Sequence, residues 1–331
     1  MSSLNTTLTN ILSHFVIQNP FHKQDVAMSG STPDFDWILV ADGHGHGSNK
    51  HILKRLFLGL DWDVVLSDEN FYKDTIGEDG EYTSALYQSI KNASLDNYYN
   101  SKLAGVGSTF SVVKIFPERF ECYHIGDSTI KIYENATRIM KSENHNFSHP
   151  DTEILKTRKC GLEHPFRQTK IWMETEGGVQ TKEIWCPKVL DAQNVTMQPS
   201  FYVSFDDGSK INMSRALGHI PGSDIIEKFE GLKLSLSQQS LTKKIVPRNP
   251  DKKYAVLAAT DGLWDMVCDE DDKILADFIC DSENAAENIA RFAKTRWFQE
   301  WNYTSPGSQL SQKIVQEEHN TDDIGIACAY C

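Results

Sequence analysis

The stretch Val256-Leu257-Ala258-Ala259-Thr260-Asp261-Gly262-Leu263-Trp264-Asp265 passes from an unbroken apolar run straight into an Asp-Gly turn. Tyr254 to Thr260 carries no charge and has strand length, so it reads as a buried strand that delivers Asp261 at its end. Three more elements repeat the theme far away in the chain. They are Ile38-Leu39-Val40-Ala41-Asp42-Gly43-His44-Gly45, Tyr123-His124-Ile125-Gly126-Asp127-Ser128 and Thr321-Asp322-Asp323-Ile324-Gly325-Ile326. An isolated carboxylate at the edge of a buried strand is badly solvated and costly. Several converging would repel one another unless a cation lay between them. Oxygen donors from aspartates, a backbone carbonyl and water suit hard divalent ions such as Mg²⁺ or Mn²⁺. The pattern implies a metal-dependent enzyme site assembled from distant strands.

The bulk numbers bound the alternatives. The chain has 331 residues, 40% hydrophobic and 24% charged, which is a globular composition sufficient for one large or two modest domains. A formal charge of -13 argues against a nucleic-acid or anionic-membrane partner, since either would want a basic face. Seven scattered cysteines are odd in number, unlike a secreted disulfide framework. Cys328 and Cys331 form one C-x-x-C with no second pair, so reduced thiols on a terminal strand are expected there, not zinc. Ile11 to Ile17 is too short and interrupted for a signal or membrane helix. These features lead us to expect an intracellular, cytoplasmic or nuclear, reduced protein.

Patterning then orders the chain. Phe35 to Ala41 reads as a central strand, and Asn49 to Leu60 follows as a helix with Ile52, Leu53, Leu56 and Phe57 on one stripe. A second long helix is predicted over Tyr82 to Tyr99. Thr109 to Phe116, Arg119 to Ile125 and Thr129 to Tyr133 predict an antiparallel meander. A short helix is predicted over Thr152 to Lys159, and strands over Lys170 to Met173, Glu183 to Cys186 and Phe201 to Phe205. Helices over Glu270 to Cys280 and Glu283 to Trp301 precede a closing strand, Asp323 to Tyr330. Strands in runs and helices in pairs suggest stacked layers instead of β-α-β alternation.

At the aspartate motifs the chain resembles the metal-dependent Ser/Thr protein phosphatases of type 2C. The family's Asp-Gly-His-Gly-Gly is similar to Asp42-Gly43-His44-Gly45-His46-Gly47, one residue longer before the last glycine. Gly107-Ser108-Thr109 resembles its Gly-Ser/Thr-Thr strand start, and Gly126-Asp127-Ser128-Thr129 its Gly-Asp-Ser-Arg. Ser214-Arg215-Ala216-Leu217-Gly218-His219 resembles Ser-Arg-Ala-Leu-Gly-Asp. Asp261-Gly262-Leu263-Trp264-Asp265 matches intact, Asp322-Asp323 resembles the terminal Asp-Asn, and Gln24-Asp25 meets an early acidic pair. Each match alone is weak, because Asp-Gly is chiefly a turn dipeptide. Their shared order from Gln24 to Ala329 covers nearly the whole chain.

The resemblance implies an α+β, four-layer α-β-β-α sandwich in which a central antiparallel β-sandwich is flanked by helix pairs. It implies one catalytic domain over residues 1–331, with an insertion at about 161–198. It implies hydrolysis of phosphoserine and phosphothreonine in phosphoproteins by a monomeric enzyme using two Mg²⁺ or Mn²⁺ ions, with a third, weaker one. In it Asp42 bridges the ions and the Gly43 carbonyl completes one coordination sphere. Asp261 and Asp322 hold the flanks, and Asp25 contributes through water or at the rim. Asp127 matches the acid near the additional metal. Asp322 is preferred to Asp323, because the family has asparagine before Ile324. His44 corresponds to the general acid. For each aspartate the competing role is a cap or turn residue, and it weighs most for Asp25 and Asp127. For His44 the competing role is a zinc ligand with His46 and His51.

Departures from the family pattern concern phosphate affinity more than metal binding. The arginine that grips substrate phosphate is missing, with Pro20 near its place, leaving Lys23 or His22 as simpler charges. Gln24 stands where many members carry glutamate, Thr129 replaces arginine, and His219 replaces aspartate. Arg215 is expected to be structural. A catalytically weak adaptor with the same fold is the first alternative, and a two-metal nuclease the second; the nuclease lacks a basic aromatic groove. Gly105-Val106-Gly107-Ser108-Thr109 lacks the lysine of a phosphate loop and precedes a strand.

Overall fold

Alternation along two apolar strands builds the centre of the molecule. In the computed structural model, which describes residues 10–44, 50–101, 107–145, 181–189, 193–204, 210–211, 213, 215–218, 241–304 and 311–331, ten strands form two antiparallel sheets. They are β1 (Ile11–Ile17), β2 (Val26–Ser31), β3 (Asp36–Ala41), β4 (Phe110–Ile115), β5 (Arg119–Ile125), β6 (Thr129–Glu134), β7 (Thr137–Lys141), β8 (Thr242–Pro247), β9 (Tyr254–Ala259) and β10 (Ile324–Tyr330). One sheet runs β1-β10-β9-β6-β7 and the other β8-β5-β4-β3-β2.

Each inner strand serves two cores, because successive side chains leave a strand on opposite faces. Ile38 and Val40 of β3 join Val256 and Ala258 of β9 and Ala327 of β10 in an apolar core between the sheets. Trp37, Leu39 and Ala41 face the other way, against α1 (Ile52–Gly59), α2 (Trp62–Ser67) and α3 (Ala85–Ser101) through Leu53, Phe57, Trp62 and Leu86. Ala255, Leu257 and Ala259 of β9 pack instead on α5 (Asp272–Asp281) and α6 (Ala285–Phe298), which follow the short α4 (Asp261–Trp264). Full burial of a Leu or Ile is worth about 1.5–3 kcal/mol, so these two strands anchor everything attached to their ends. The architecture is α+β with antiparallel sheets, as expected.

Three differences from the expected elements are informative. The predicted meander divides between the sheets: β4 pairs with β5, whereas β6 lies in the opposite sheet against β9. The turn Gly126-Asp127-Ser128 makes the crossing, with Gly126 at φ +94°. Period-two patterning fixes a strand's faces but not which sheet it enters. The last helix stops at Phe298 instead of Trp301, because Gln299 is extended and Trp301 turns into the core, donating from Nε1 to the Arg296 carbonyl at 2.8 Å. Trp62–Ser67 is an additional helix.

Within the expected insertion, strands Thr181–Val189 and Asn194–Ser204 form an antiparallel hairpin. Its base is tied to α4 and to strand Trp301–Thr304, through Val189 N–H to the Asp265 carbonyl at 3.1 Å and Asn302 N–H to the Gln193 carbonyl at 3.0 Å. The helix expected over Thr152 to Lys159 and the strand over Lys170 to Met173 lie outside the described residues. Among the described residues, no helix is long and apolar enough to cross a membrane.

Candidate metal centre

Asp42 follows β3 directly, and its backbone is pinned on both sides by the segment after residue 106. Its N–H donates to Thr109 Oγ1 at 2.9 Å, and its carbonyl accepts the Thr109 N–H at 2.9 Å and the Ser108 hydroxyl at 3.0 Å. Beside it, Gly43–His44 pairs with Gly107–Ser108, which pairs in turn with Leu217–Gly218. The Gly-Ser-Thr motif thus holds Asp42 through backbone and hydroxyls together, and with the Ala-Leu-Gly backbone it builds a three-stranded ledge that carries His44.

Asp127 lies on the crossing turn between the sheets. An added Cβ on Gly126 would come within 2.7 Å of Thr109 Cγ2, so only glycine fits so close to the Asp42 anchor. Thr109 Oγ1 also bonds Ser128 Oγ at 2.6 Å, and Ser111 Oγ donates to the Ser128 carbonyl at 2.8 Å. One threonine hydroxyl therefore couples the Asp42 and Asp127 segments.

Asp261 opens α4, immediately after β9. Here the chain runs against the last loop: a Cβ on Gly262 would lie 1.8 Å from the Asp323 carbonyl oxygen. Trp297 Nε1 donates to the Gly262 carbonyl at 2.8 Å, and Trp264 Nε1 to the Ala259 carbonyl at 2.7 Å. Carboxylate oxygens of Asp42, Asp127 and Asp261 all come within 4.8 Å of one another. They arrive from three separate strand ends.

The other acids form a second ring. Asp25 is buried, and its Oδ2 accepts the Thr260 hydroxyl at 2.7 Å. Burial first, then repulsion from Asp323 and Asp322, pushes its carboxyl well above the ordinary 3.8, against the Thr260 hydrogen bond. Asp42 is raised well above 3.8 too, by burial and then by Asp25, Asp261, Asp322 and Asp127. Of the terminal pair, Asp323 is consumed by the fold. Its carboxylate accepts N–H groups from Asn19 at 2.5 Å, Gln24 at 2.6 Å and Asp25 at 3.3 Å. Asp322 is half-buried and adds to the field on both Asp25 and Asp42.

The remaining candidates fall outside the acidic group. Gln24 donates from Nε2 to the Lys50 carbonyl at 3.0 Å, which a glutamate carboxylate could not do. Lys23 is exposed, in the left-handed region at φ +60°, with its carbonyl held by Lys54 Nζ at 3.0 Å. Neither Lys23 nor His22 forms an ion pair among the described residues. His44 is half-buried on its ledge, the His51 ring bonds to the backbone of Lys23, and His46 lies outside the described residues, as does His219. Arg215 Nη1 donates to Thr242 Oγ1 at 3.1 Å and lies 3.3 Å from His145 Nε2. Sequence reasoning missed Thr260, Asn19 and His145 and the anchoring role of Thr109, all of which depend on partners remote in the chain.

No protein-family model matches the chain, and no curated protein matches it. Solved structures do. A C. elegans sex determining protein is 17% identical with a TM-score of 0.54; the match covers 96% of this chain, which spans only 64% of that one. The S. agalactiae serine/threonine phosphatase is 12% identical with a TM-score of 0.52, over 97% of this chain and 99% of that one. Serine-threonine phosphatase 2C from Toxoplasma gondii is 13% identical with a TM-score of 0.51, over 96% and 94%. At such identities the likeness is one of architecture: the chain has the fold of the type 2C Ser/Thr phosphatases.

Proposed function

We propose that this chain is a metal-dependent phosphoprotein phosphatase acting on phosphoserine and phosphothreonine. The observation that carries the proposal is the meeting of Asp42, Asp127 and Asp261 within 4.8 Å, from strand ends far apart in sequence. The donor set fits hard cations: oxygen only, with Asp25 and Asp42 driven toward protonation by burial and mutual repulsion that divalent charge would relieve. Asp42, Asp261 and Asp322, with the Gly43 carbonyl, would hold two Mg²⁺ or Mn²⁺ ions, and Asp127 and Asp25 would complete the outer positions. A pair of such ions lowers the pKa of a shared water and draws charge from phosphoryl oxygens.

The chain's own contribution is rigidity and proton control. The Thr109 and Ser108 bonds hold the Asp42 peptide, and strand ends keep the carboxylates in place better than free loops would. His44, two residues after Asp42 on the ledge, would give a proton to the departing serine or threonine oxygen. Lys23 and His22 stand on the loop that lacks the phosphate-gripping arginine.

That missing arginine and the turned-away Gln24 favour a second reading, a weakly active module that binds phosphoproteins without turning them over. Hydrolysis of p-nitrophenyl phosphate across a Mn²⁺ series separates the two. Turnover that EDTA abolishes and okadaic-type inhibitors spare supports the phosphatase. A folded chain with no turnover at any Mn²⁺ concentration or pH leaves the binding module.

A further inference from the structure

One residue grips Gly126 at both of its backbone groups. The Gly126 N–H donates to His145 Nδ1 at 3.0 Å, and the Gly126 carbonyl accepts the His145 N–H at 3.1 Å. Gly126 is also the left-handed pivot of the crossing turn, pressed against Thr109. His145 is fully buried, and its ring stacks on His124 with centroids 4.9 Å apart and an interplanar angle of 14°. Since Nδ1 accepts, the proton of a neutral ring lies on Nε2. Arg215 Nη1 stands 3.3 Å from Nε2 while donating to Thr242 Oγ1 at 3.1 Å. Both Nη1 and a protonated Nε2 are donors, so this approach is no hydrogen bond, and the residue is held by its two bonds to Gly126 and by the His124 stack.

We propose that His145 is a positioning residue for Asp127. By fixing both ends of the Gly126 peptide it sets the direction of the next side chain, the Asp127 carboxylate that meets Asp42 and Asp261. This gives a role to a fully buried residue outside the acidic group. The consequence for metal binding rests on the metal-centre proposal above. Loss of a partner that orients a metal ligand weakens metal affinity about 10–100-fold.

The test uses the full chain and three variants. His145→Asn places an amide oxygen near the position of Nδ1, His145→Gln reaches toward Nε2 instead, and His145→Ala removes both. Mn²⁺ binding is followed by electron paramagnetic resonance, and the Gly126 amide by ¹H–¹⁵N spectra of the metal-free protein. We expect His145→Asn to keep the Gly126 amide shift and to bind Mn²⁺ within about threefold of wild type, while Ala and Gln move the amide and lose about tenfold or more. Equal losses in all three variants would mean mere packing against His124 and overturn the proposal, as would an unchanged Ala variant. If the Ala variant does not fold, the Asn–Gln comparison decides on the same criterion. A wild-type chain that binds no Mn²⁺ sinks the metal centre itself, and the amide shift still tests the grip on Gly126.

Discussion

The Asp323 carboxylate accepts the Gln24 N–H at 2.6 Å, joining residues 299 positions apart. The same carboxylate receives the N–H groups of Asn19 and Asp25, so it closes the loop that carries Asp25 onto the loop that carries Asp322. Adjacent aspartates therefore divide the labour. Asp323→Ala leaves buried N–H groups without an acceptor, each costing about 1–3 kcal/mol. We expect a loss of at least about 2 kcal/mol in urea unfolding, whereas Asp322→Asn changes stability by less than about 0.5 kcal/mol and removes most phosphatase activity. The opposite ordering of stabilities would reverse the assignment.

Asp42→Asn and Asp261→Asn each take one negative charge from the acidic group. Both variants are expected to keep the fold, to melt no lower than wild type without metal, and to lose phosphatase turnover by about 100–1,000-fold, the range seen when a catalytic electrostatic group is removed. Steady-state kinetics with Mn²⁺ checks the second point and calorimetry the first. Turnover near the wild-type value in either variant removes that residue from the site.

The raised carboxyls of Asp25 and Asp42 give metal-free stability a definite pH trend. Below the ordinary 3.8 these groups are protonated in both folded and unfolded chains. As pH rises past that value the unfolded chain releases its protons while the folded chain retains them, so their contribution to stability falls until the raised folded values are passed. In EDTA, melting temperature should decline from about pH 4.5 to pH 7 more steeply for wild type than for Asp42→Asn. Added Mn²⁺ should stabilise more at about pH 7 than at about pH 5, because deprotonated carboxylates are the ligands. A metal-induced shift that is the same at both pH values counts against the cluster.

Gly262 tests how closely two loops approach. An added methyl group would overlap the Asp323 carbonyl, which is backbone and not the far end of a flexible side chain. Gly262→Ala should destabilise by about 1–3 kcal/mol or more, as overpacked sites do. Because the displaced loop carries Asp322, activity should fall with it. A fully stable, fully active alanine variant would show that the loops stand further apart.

Gln24→Glu restores the acid common in the resembling family, yet here it would aim a carboxylate at the Lys50 carbonyl in place of a donor. We expect a loss of about 1–2 kcal/mol, measured by chemical unfolding. An unchanged stability would show that the Gln24–Lys50 bond is dispensable.

Much of this was legible in the chain. The uniformly apolar runs ending in Asp42 and Asp261 announced strands buried on two faces, and β3 and β9 are such strands. Their terminal aspartates converge because the sheets that hold them are stacked. The sheet change after Ile125 was not legible, since a glycine at positive φ, as Gly126 is, suits a hairpin turn as well as a crossing turn. The work of Asp323 was hidden as well: its partners are backbone groups at the other end of the sequence, and backbone leaves no residue signature. Thr109 and Thr260 likewise read as ordinary strand residues until their hydroxyls are seen to hold Asp42 and Asp25.

The strand Ile324–Tyr330 is an inner strand of its sheet, between Ile11–Ile17 and Tyr254–Ala259. During synthesis its place must wait until every preceding element has left the ribosome, with β1 and β9 lacking their shared neighbour. Completion of the sheet is thereby postponed until residues 324–330 have emerged. A product stopped before residue 324 would expose two sticky strand edges and be fit only for degradation.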